Sequence, residues 1–207
     1  MHDRSDLNSQ KGAAGTFGIL LLAGGRSRRM GCDKAQLSYH GRPLIEHMQR
    51  RLDAMGPARL VIGGRMPGLR DLVPDGGPVA SICALAQNPA LSGGLEQWLI
   101  VPVDMPHLSP DLLFRLLSDP APAAYFVAHP LPAALRFDND VKAFLKVAAR
   151  DLKAGRGVPV KRLLAAVKAS AVMPTAEEVG KLLNINPPEE WAALLSREDG
   201  INTSGRR

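Results

Sequence analysis

The segment TFGILLLAGGRSRRMGCDK, residues 16–34, decides the fold of this chain. Its first half, residues 16–23, is an apolar run that ends at paired glycines, which is typical of a strand buried on both faces of a parallel sheet. Its second half, residues 24–34, combines glycines with the cations Arg26, Arg28, Arg29 and Lys34. A buried strand followed at once by such a loop predicts an α/β fold in which the loop binds an anion.

Apolar runs and helical periodicities alternate along the rest of the chain. We predict strands at residues 59–62, 98–103, 125–128 and 182–185, and helices at residues 43–55, 78–85, 110–117, 141–152, 160–167 and 188–195. This alternation predicts a single domain at residues 16–196, with a three-layer α/β/α, Rossmann-like architecture and a mostly parallel sheet. We expect residues 1–15 to be a disordered N-terminal tail and residues 197–207 a flexible C-terminal tail.

Composition limits the classes of function that fit. The chain has 207 residues, of which 45% are hydrophobic, and a net charge of +6, an ordinary globular balance. The cations concentrate in the glycine-rich loop rather than in a stripe with stacking aromatics, which favours a compact polyanion over nucleic acid. Apolar runs fall short of the roughly 18 residues that span a membrane. We therefore expect a cytoplasmic protein with no nucleic-acid or membrane partner, whose cysteines are reduced thiols.

The glycine-rich loop predicts triphosphate binding. Gly24, Gly25 and Gly31 allow backbone N–H groups to approach an anion without an intervening Cβ. Two better-known phosphate loops do not fit, because Gly24 is followed directly by Gly25 and because Gly31 is followed by Cys32 rather than lysine. The alternative is a solvated turn with incidental arginines, and the buried strand before the loop argues against it.

Two carboxylates and two amides are further candidates. Asp104 follows the predicted strand 98–103, at the edge where α/β sheets bind ligands, and a carboxylate beside a triphosphate is a usual Mg²⁺ ligand. Asp75 lies in an Asp-Gly-Gly turn, and Asn184 and Asn186 lie on one side of an extended segment. The alternatives are turn formation for the aspartates and backbone capping for the asparagines. For His40, His47, His107 and His129 we predict surface or packing roles.

Five segments, taken in this order, resemble the molybdenum cofactor guanylyltransferases. They are LAGGRSRRMGCDKA (22–35), GRPLIEH (41–47), GGPVASICAL (76–85), VPVDMPHLSPDLL (101–113) and NINPPEEW (184–191). The first segment marks the wider nucleotidyltransferase superfamily. Its LAGG spelling, together with the late Asn-Ile-Asn-Pro-Pro-Glu, is similar to the guanylyl branch.

The resemblance implies that the chain transfers GMP from GTP to molybdopterin carrying molybdenum, releases pyrophosphate and uses Mg²⁺. Transient contact with a molybdoenzyme apo-protein or a cofactor-delivery protein is a further expectation. The implied nucleotide contacts are Leu22, Ala23, Gly24, Gly25, Lys34, Asp75 and Asp104. The implied catalytic residues are Arg29, Lys34 and Asp104, with Asp104 also binding the metal. The implied molybdopterin contacts are Asn184 and Asn186.

The chain departs from the family pattern at one position. Many members carry, after the second strand, an asparagine that contacts the nucleotide, and the matching position here is Gly63. The chain therefore lacks, at this position, the side-chain contact to the nucleotide that those members make. Two alternatives stay open: a cytidylyltransferase or sugar-1-phosphate guanylyltransferase of the same fold, and a non-catalytic carrier of nucleotide or cofactor.

Overall fold

A computed structural model describes residues 16–24 and 33–184 of the chain. The strands are Phe17–Leu22 (β1), Ser38–Tyr39 (β2), Arg42–Pro43 (β3), Arg59–Gly63 (β4), Gln97–Pro102 (β5), Ala123–Phe126 (β6), His129–Arg136 (β7) and Ser170–Val172 (β8). The α-helices are Leu44–Asp53 (α1), Pro78–Ala86 (α2), Pro89–Ser92 (α3), Pro110–Leu117 (α4), Asn139–Lys153 (α5), Val160–Ala166 (α6) and Ala176–Val179 (α7). Single 3₁₀ turns occupy Lys34–Gln36 and Gly180–Leu182.

The main sheet has the strand order β4-β1-β5-β7-β6-β8. Strand β1 is parallel to both β4 and β5, β7 is antiparallel to β5 and β6, and β8 is parallel to β6. Strands β2 and β3 form a separate small hairpin. The predicted three-layer α/β fold with a mostly parallel sheet is confirmed, with β7 as the antiparallel exception.

The sheet is covered on both faces because its strands are apolar on both faces. In β1, Ile19 and Leu21 belong to the cluster that contains the buried residues of α1 and α4. Leu20 and Leu22 belong to the cluster that contains the buried residues of α2, α5 and α6. Each fully buried leucine contributes about 1.5–3 kcal/mol of transfer free energy. The unbroken apolar run of β1 is therefore what makes it a central strand.

Strand β7 was not predicted, and the strand prediction at residues 125–128 was displaced. The prolines Pro130 and Pro132 argue against a strand from sequence. In the structure they lie where the β6–β7 register shifts, between the pairs Phe126–His129 and Tyr125–Ala133. Strand β6 ends at Phe126, and Ala128, with φ of 67°, lies in the turn that follows. A local pattern does not reveal such an interrupted pairing.

The predicted late strand at residues 182–185 is wrong over its described part. A 3₁₀ turn, Gly180–Leu182, occupies its start. Leu182 is fully buried against the face of the sheet that α1 and α4 cover, which explains an apolar residue at this position outside a strand. Leu183 is 56% exposed. The edge beside β6 is already taken by β8. The predicted helix at 188–195 and both tails lie outside the described residues, so the domain boundaries stay a prediction.

None of the helices within residues 16–24 and 33–184 combines the length and the apolar character needed to cross a membrane.

Candidate active site at the carboxyl ends of the strands

A cleft of about 1210 Å³ opens where β1, β4 and β5 end, the edge at which parallel α/β sheets bind ligands. Among the residues that line it are all the predicted site residues that the structure describes: Leu22, Ala23, Gly24, Lys34, Asp75, Asp104 and Asn184. The other predicted site residues, Gly25, Arg29 and Asn186, lie outside the described residues. Residues as far apart in sequence as Leu22 and Asn184 thus meet at one place.

The floor of the cleft is backbone, and it tolerates only glycine at one point. Ala23 N donates to Gly63 O at 3.0 Å, which draws the end of β1 against the end of β4. A Cβ built on Gly24 would lie 2.7 Å from both the Cα and the carbonyl oxygen of Gly64. Real Cβ atoms do not approach backbone that closely. Glycine at position 24 therefore allows the end of β1 to lie this close to the Gly64 backbone.

Lys34 and Asp104 form an ion pair inside the cleft. The Lys34 Nζ–Asp104 Oδ2 distance is 3.4 Å, and the two side chains are 16% and 20% exposed. Asp33 caps the 3₁₀ turn that carries the lysine, its side chain accepting from Ala35 N at 3.1 Å. The cleft thus holds, side by side, a cation suited to phosphate oxygens and a carboxylate suited to a divalent metal.

A second ion pair ties the loop after β4 to Asp33, near the end of the glycine-rich loop. Arg65 Nη2 lies 3.0 Å from Asp33 Oδ2, and both residues line the cleft. Arg70 also lines the cleft. We did not single out either arginine from sequence, because each lies in a Gly/Pro-rich stretch without a recognisable motif. Only the tertiary fold shows that they face the same ligand space as Lys34.

Asp71 is a second cleft carboxylate that sequence reasoning missed. Ser81 Oγ donates a hydrogen bond to its carboxylate. Burial raises the pKa of Asp71, the Ser81 hydrogen bond lowers it, the nearby Asp75 charge raises it, and the net shift is upward. Asp75 has a left-handed backbone with φ of 55°, which suits an Asp-Gly turn. The neighbouring carboxylates of Asp71 and Asp75 in the cleft lining favour a ligand rich in N–H or O–H donors.

The structure gives a physical reason for the glycine at position 63. A Cβ there would lie 3.0 Å from Leu20 Cδ1 and 3.3 Å from Ser81 Cβ. An asparagine would have to displace one of these side chains. Ser81 and its hydrogen-bond partner Asp71 thus supply polar groups beside the space that an asparagine side chain at position 63 would occupy.

Asn184 is positioned by an anchored segment. A capping box between Thr175 and Glu178 opens α7, and Arg115 bonds both Glu178 and, at 3.0 Å, the Met173 carbonyl oxygen. Buried Leu182 fixes the chain two residues before Asn184. His129, the first residue of β7, also lines the cleft, where it can contact a ligand in addition to the surface or packing role that we predicted for it.

This combination defines a class of protein. A parallel Rossmann-like sheet whose first strand enters a glycine-rich basic loop, with a lysine–aspartate pair at the carboxyl edge, is the arrangement of a nucleotidyltransferase. The chain belongs to the family described as the MobA-like NTP transferase domain, whose model matches residues 19–178.

Individual relatives agree with this membership. A molybdenum cofactor guanylyltransferase of Xanthomonas euvesicatoria pv. vesicatoria is 38% identical over 183 residues, 85% of this chain and 93% of the relative. One from Acidiphilium cryptum is 41% identical, over 51% of this chain and 59% of its own length. The crystal structure of molybdopterin-guanine dinucleotide biosynthesis protein A from Archaeoglobus fulgidus superposes with a TM-score of 0.60, covering 90% of this chain and 99% of that one, at 18% identity. That last likeness bears on the fold alone.

Proposed function

We propose that the chain transfers GMP from GTP to the terminal phosphate of molybdopterin carrying molybdenum and releases pyrophosphate. Family membership and the activity for which the Xanthomonas euvesicatoria relative is named support the choice of reaction, and that relative aligns with this chain over 93% of its length. The observation that carries the proposal is the convergence of Gly24, Lys34 and Asp104 on one cleft. The product, a guanine dinucleotide form of the cofactor, would then pass by transient contact to a molybdoenzyme apo-protein or a cofactor-delivery protein. We expect this to take place in the cytoplasm.

The reaction needs no covalent intermediate with the enzyme. An oxygen of the acceptor phosphate forms a bond to the α-phosphorus of GTP, and the bond from that phosphorus to the bridging oxygen breaks. The electron pair leaves with pyrophosphate. Because the acceptor oxygen is already anionic at neutral pH, no general base is required. Catalysis then rests on alignment of the two substrates and on neutralisation of phosphate charge.

The residues of the cleft divide between these tasks in our proposal. Backbone N–H groups near Gly24 and Gly25 approach the phosphates, and Lys34 and Arg29 neutralise their charge. Asp75 contacts the nucleoside. Asn184 and Asn186 contact the pterin. Leu22 and Ala23 contact the nucleotide through their backbone.

Asp104 would hold Mg²⁺. The described residues contain no group of three or more His, Cys, Asp or Glu side chains able to hold a metal by themselves. One carboxylate next to a triphosphate nevertheless fits Mg²⁺, which takes its other ligands from phosphate oxygens and water. The ion would supply charge neutralisation at the phosphates.

The direct test is turnover by the purified protein. Incubation with Mg²⁺, molybdopterin carrying molybdenum, and α-labelled GTP or CTP should give labelled dinucleotide and pyrophosphate with GTP. Preferential use of CTP would contradict the guanylyl assignment while leaving nucleotidyl transfer intact. A sugar 1-phosphate accepted in place of molybdopterin would overturn the acceptor.

The same assay distinguishes an enzyme from a non-catalytic carrier of nucleotide or cofactor. A protein that only binds and hands on the nucleotide or the cofactor would retain GTP without releasing pyrophosphate. Pyrophosphate that appears only when GTP and acceptor are both present is the outcome that we expect.

A further inference from the structure

A second pocket is strongly basic, and none of the described residues that line it also lines the cleft. It has a volume of about 340 Å³ and is lined by Tyr39, His40, Arg42, His47, Arg50 and Arg51. No carboxylate is among these residues. Within the described part of the chain, neither Arg42 nor Arg50 is in an ion pair. Among the described residues, the lining thus gathers three guanidinium groups without a carboxylate; such groups repel one another, and a bound anion relieves that repulsion.

One wall of this basic pocket is built by an unusual turn. Strands β2 and β3 are joined by His40 and Gly41, whose φ angles are 49° and 74°. Two successive left-handed residues are typical of a type I′ hairpin turn. Histidine is among the non-glycine residues that adopt this backbone region most readily, so the turn can present an imidazole to the pocket. The turn places Tyr39 opposite Arg42 in the hairpin, so this four-residue segment brings side chains of the pocket lining together.

A buried aromatic ring organises the imidazoles. Tyr39 is 3% exposed. Its ring lies edge-on to His40 at a centroid distance of 4.4 Å and to His47 at 4.5 Å. His107 packs on it in the same manner at 6.4 Å. The imidazoles are therefore held in fixed orientations rather than spread over the surface.

The other wall comes from helix α1 and is tied to the loop after Asp104. His47, Arg50 and Arg51 are spaced by three and four residues and so share one face of the helix. His47 Nε2 lies 3.4 Å from the Pro106 carbonyl oxygen, and Arg51 Nη2 donates to Leu108 O at 2.9 Å. Arg51 Nε is buried and has no hydrogen-bond partner among the described residues. A buried donor of this kind normally has a partner, such as an ion.

We propose that the basic pocket is a binding site for a diphosphate-class anion, separate from the nucleotide cleft. Guanidinium groups bind phosphate oxygens through paired hydrogen bonds. A cluster of several cations also suits a ligand with several negative charges better than it suits a ligand with a single carboxylate. The pocket volume is at the low end of small-molecule sites, which favours a compact ligand over a protein surface. Because Pro106 and Leu108 contact this wall, an anion bound in the basic pocket would also affect the position of the segment that begins at Asp104. The binding claim does not rest on the proposed function.

Histidine NMR separates the two sites in the intact protein. His129 lines the cleft and His40 and His47 line the basic pocket, so their ring signals report the two places independently. Titration with inorganic diphosphate, with the cleft filled by a non-hydrolysable GTP analogue, should shift the His40 and His47 signals to saturation. Shifts confined to His129, or none at the pocket histidines, would overturn the proposal. The measurement involves no turnover, so its failure is distinct from failure of GMP transfer.

Paired substitutions supply the second measurement. The double variant Arg42→Gln/Arg50→Gln should bind diphosphate at least about tenfold more weakly, since one charge-assisted hydrogen bond is worth about that factor. Arg150→Gln/Lys153→Gln is the matched control: it removes two positive charges from exposed positions on α5 and should leave the affinity unchanged. Undiminished binding by the double variant would overturn the site. Should the double variant not fold, the exposed single change Arg50→Gln carries the test.

Three other ligands test which class of anion the basic pocket binds. Methyl diphosphate binding like inorganic diphosphate would show that an ester is accepted, and weaker binding would restrict the site to the free anion. Either result supports the diphosphate class. Inorganic monophosphate binding equally well would overturn the class, and hexaglutamate binding more tightly than diphosphate would reassign the pocket to an acidic protein segment.

Discussion

Asp104 has a central role in the proposed reaction but contributes little to the stability of the fold. Its ion pair with Lys34 is partly exposed, and such pairs are worth at most about 1 kcal/mol. The carboxylate is nevertheless the residue that we assign to Mg²⁺ at the end of β5. Removing its charge should therefore separate activity from folding.

We predict that Asp104→Asn lowers the turnover of GTP by at least about a hundredfold, the usual scale for losing one group that stabilises transition-state charge. The thermal midpoint should move by no more than a few degrees. Steady-state assays and calorimetry check the two halves. Intact turnover in a folded variant would show that the metal is held elsewhere.

Lys34 is assigned to the phosphates, so its loss should appear in binding. We expect Lys34→Ala to weaken GTP affinity at least about tenfold, because a charge-assisted contact is worth roughly 1.5–3 kcal/mol. Isothermal titration calorimetry measures it. Arg150→Ala, which removes an exposed charge on α5, is the control for net charge. Equal GTP affinity in Lys34→Ala and the wild type would remove the lysine from the nucleotide site.

Gly24 tests the backbone floor of the cleft. Gly24→Ala places a Cβ 2.7 Å from the Gly64 backbone, so the ends of β1 and β4 must separate, at a cost of about 1–3 kcal/mol. GTP binding should weaken with stability. Gly157→Ala is the matched control, since a Cβ there meets nothing within 4 Å. Denaturant unfolding of both variants is the measurement, and equal stability would refute the close approach.

At the scale of elements, the segment from β8 to Asn184 depends on one arginine. Arg115, on α4, bonds Glu178 and the Met173 carbonyl oxygen and lies 5.7 Å from the centre of the Phe126 ring. These contacts attach a segment of one short helix and one 3₁₀ turn to the sheet. They set the path by which Asn184 reaches the cleft.

This attachment carries a pH dependence. Hydrogen bonding to Arg115 is the largest cause that lowers the pKa of Glu178 from its ordinary value of 4.5. A carboxyl with a depressed folded pKa stabilises the fold above its unfolded pKa, and that contribution is lost as the pH falls through the folded pKa. We predict that Glu178→Gln is less stable than the wild type at pH 7, by up to about 1 kcal/mol. The difference should vanish well below pH 4.5 in urea unfolding. A difference that is constant with pH would show that the charge of Glu178 is irrelevant.

Elements with an unbroken apolar or periodic pattern are predicted well from sequence, whereas a strand that contains prolines and a very short strand are not. The predicted helix at 110–117 and the predicted strand at 98–103 match α4 and β5 within a residue. Strands β7 and β8 were missed, because β7 contains two prolines and β8 is three residues long. Their strand conformation comes from hydrogen bonds to neighbours distant in sequence.

At the scale of the whole molecule, ligand binding should stabilise the fold by mass action. The cleft draws residues from Leu22 to Asn184, so unfolding destroys the site. With GTP and Mg²⁺ at about 100 times the dissociation constant, the gain is about 2.7 kcal/mol. For a chain of this size the thermal midpoint should rise by about 5–10 °C. Lys34→Ala should reduce that rise, and an equal rise with CTP would argue against selection for guanine.

The sequence by itself determined the class of fold, the loop that opens the active site and the aspartate after β5. Those features are local: a run of apolar residues, a cluster of glycines and cations, and a carboxylate at the end of a strand. The tertiary structure decided which other side chains join them. Arg65, Asp71, Ser81 and His129 carry no local signal, because their place in the cleft depends on how β4, α2 and β7 pack. The basic pocket likewise exists only because a hairpin and one face of α1 meet beside the loop that follows Asp104.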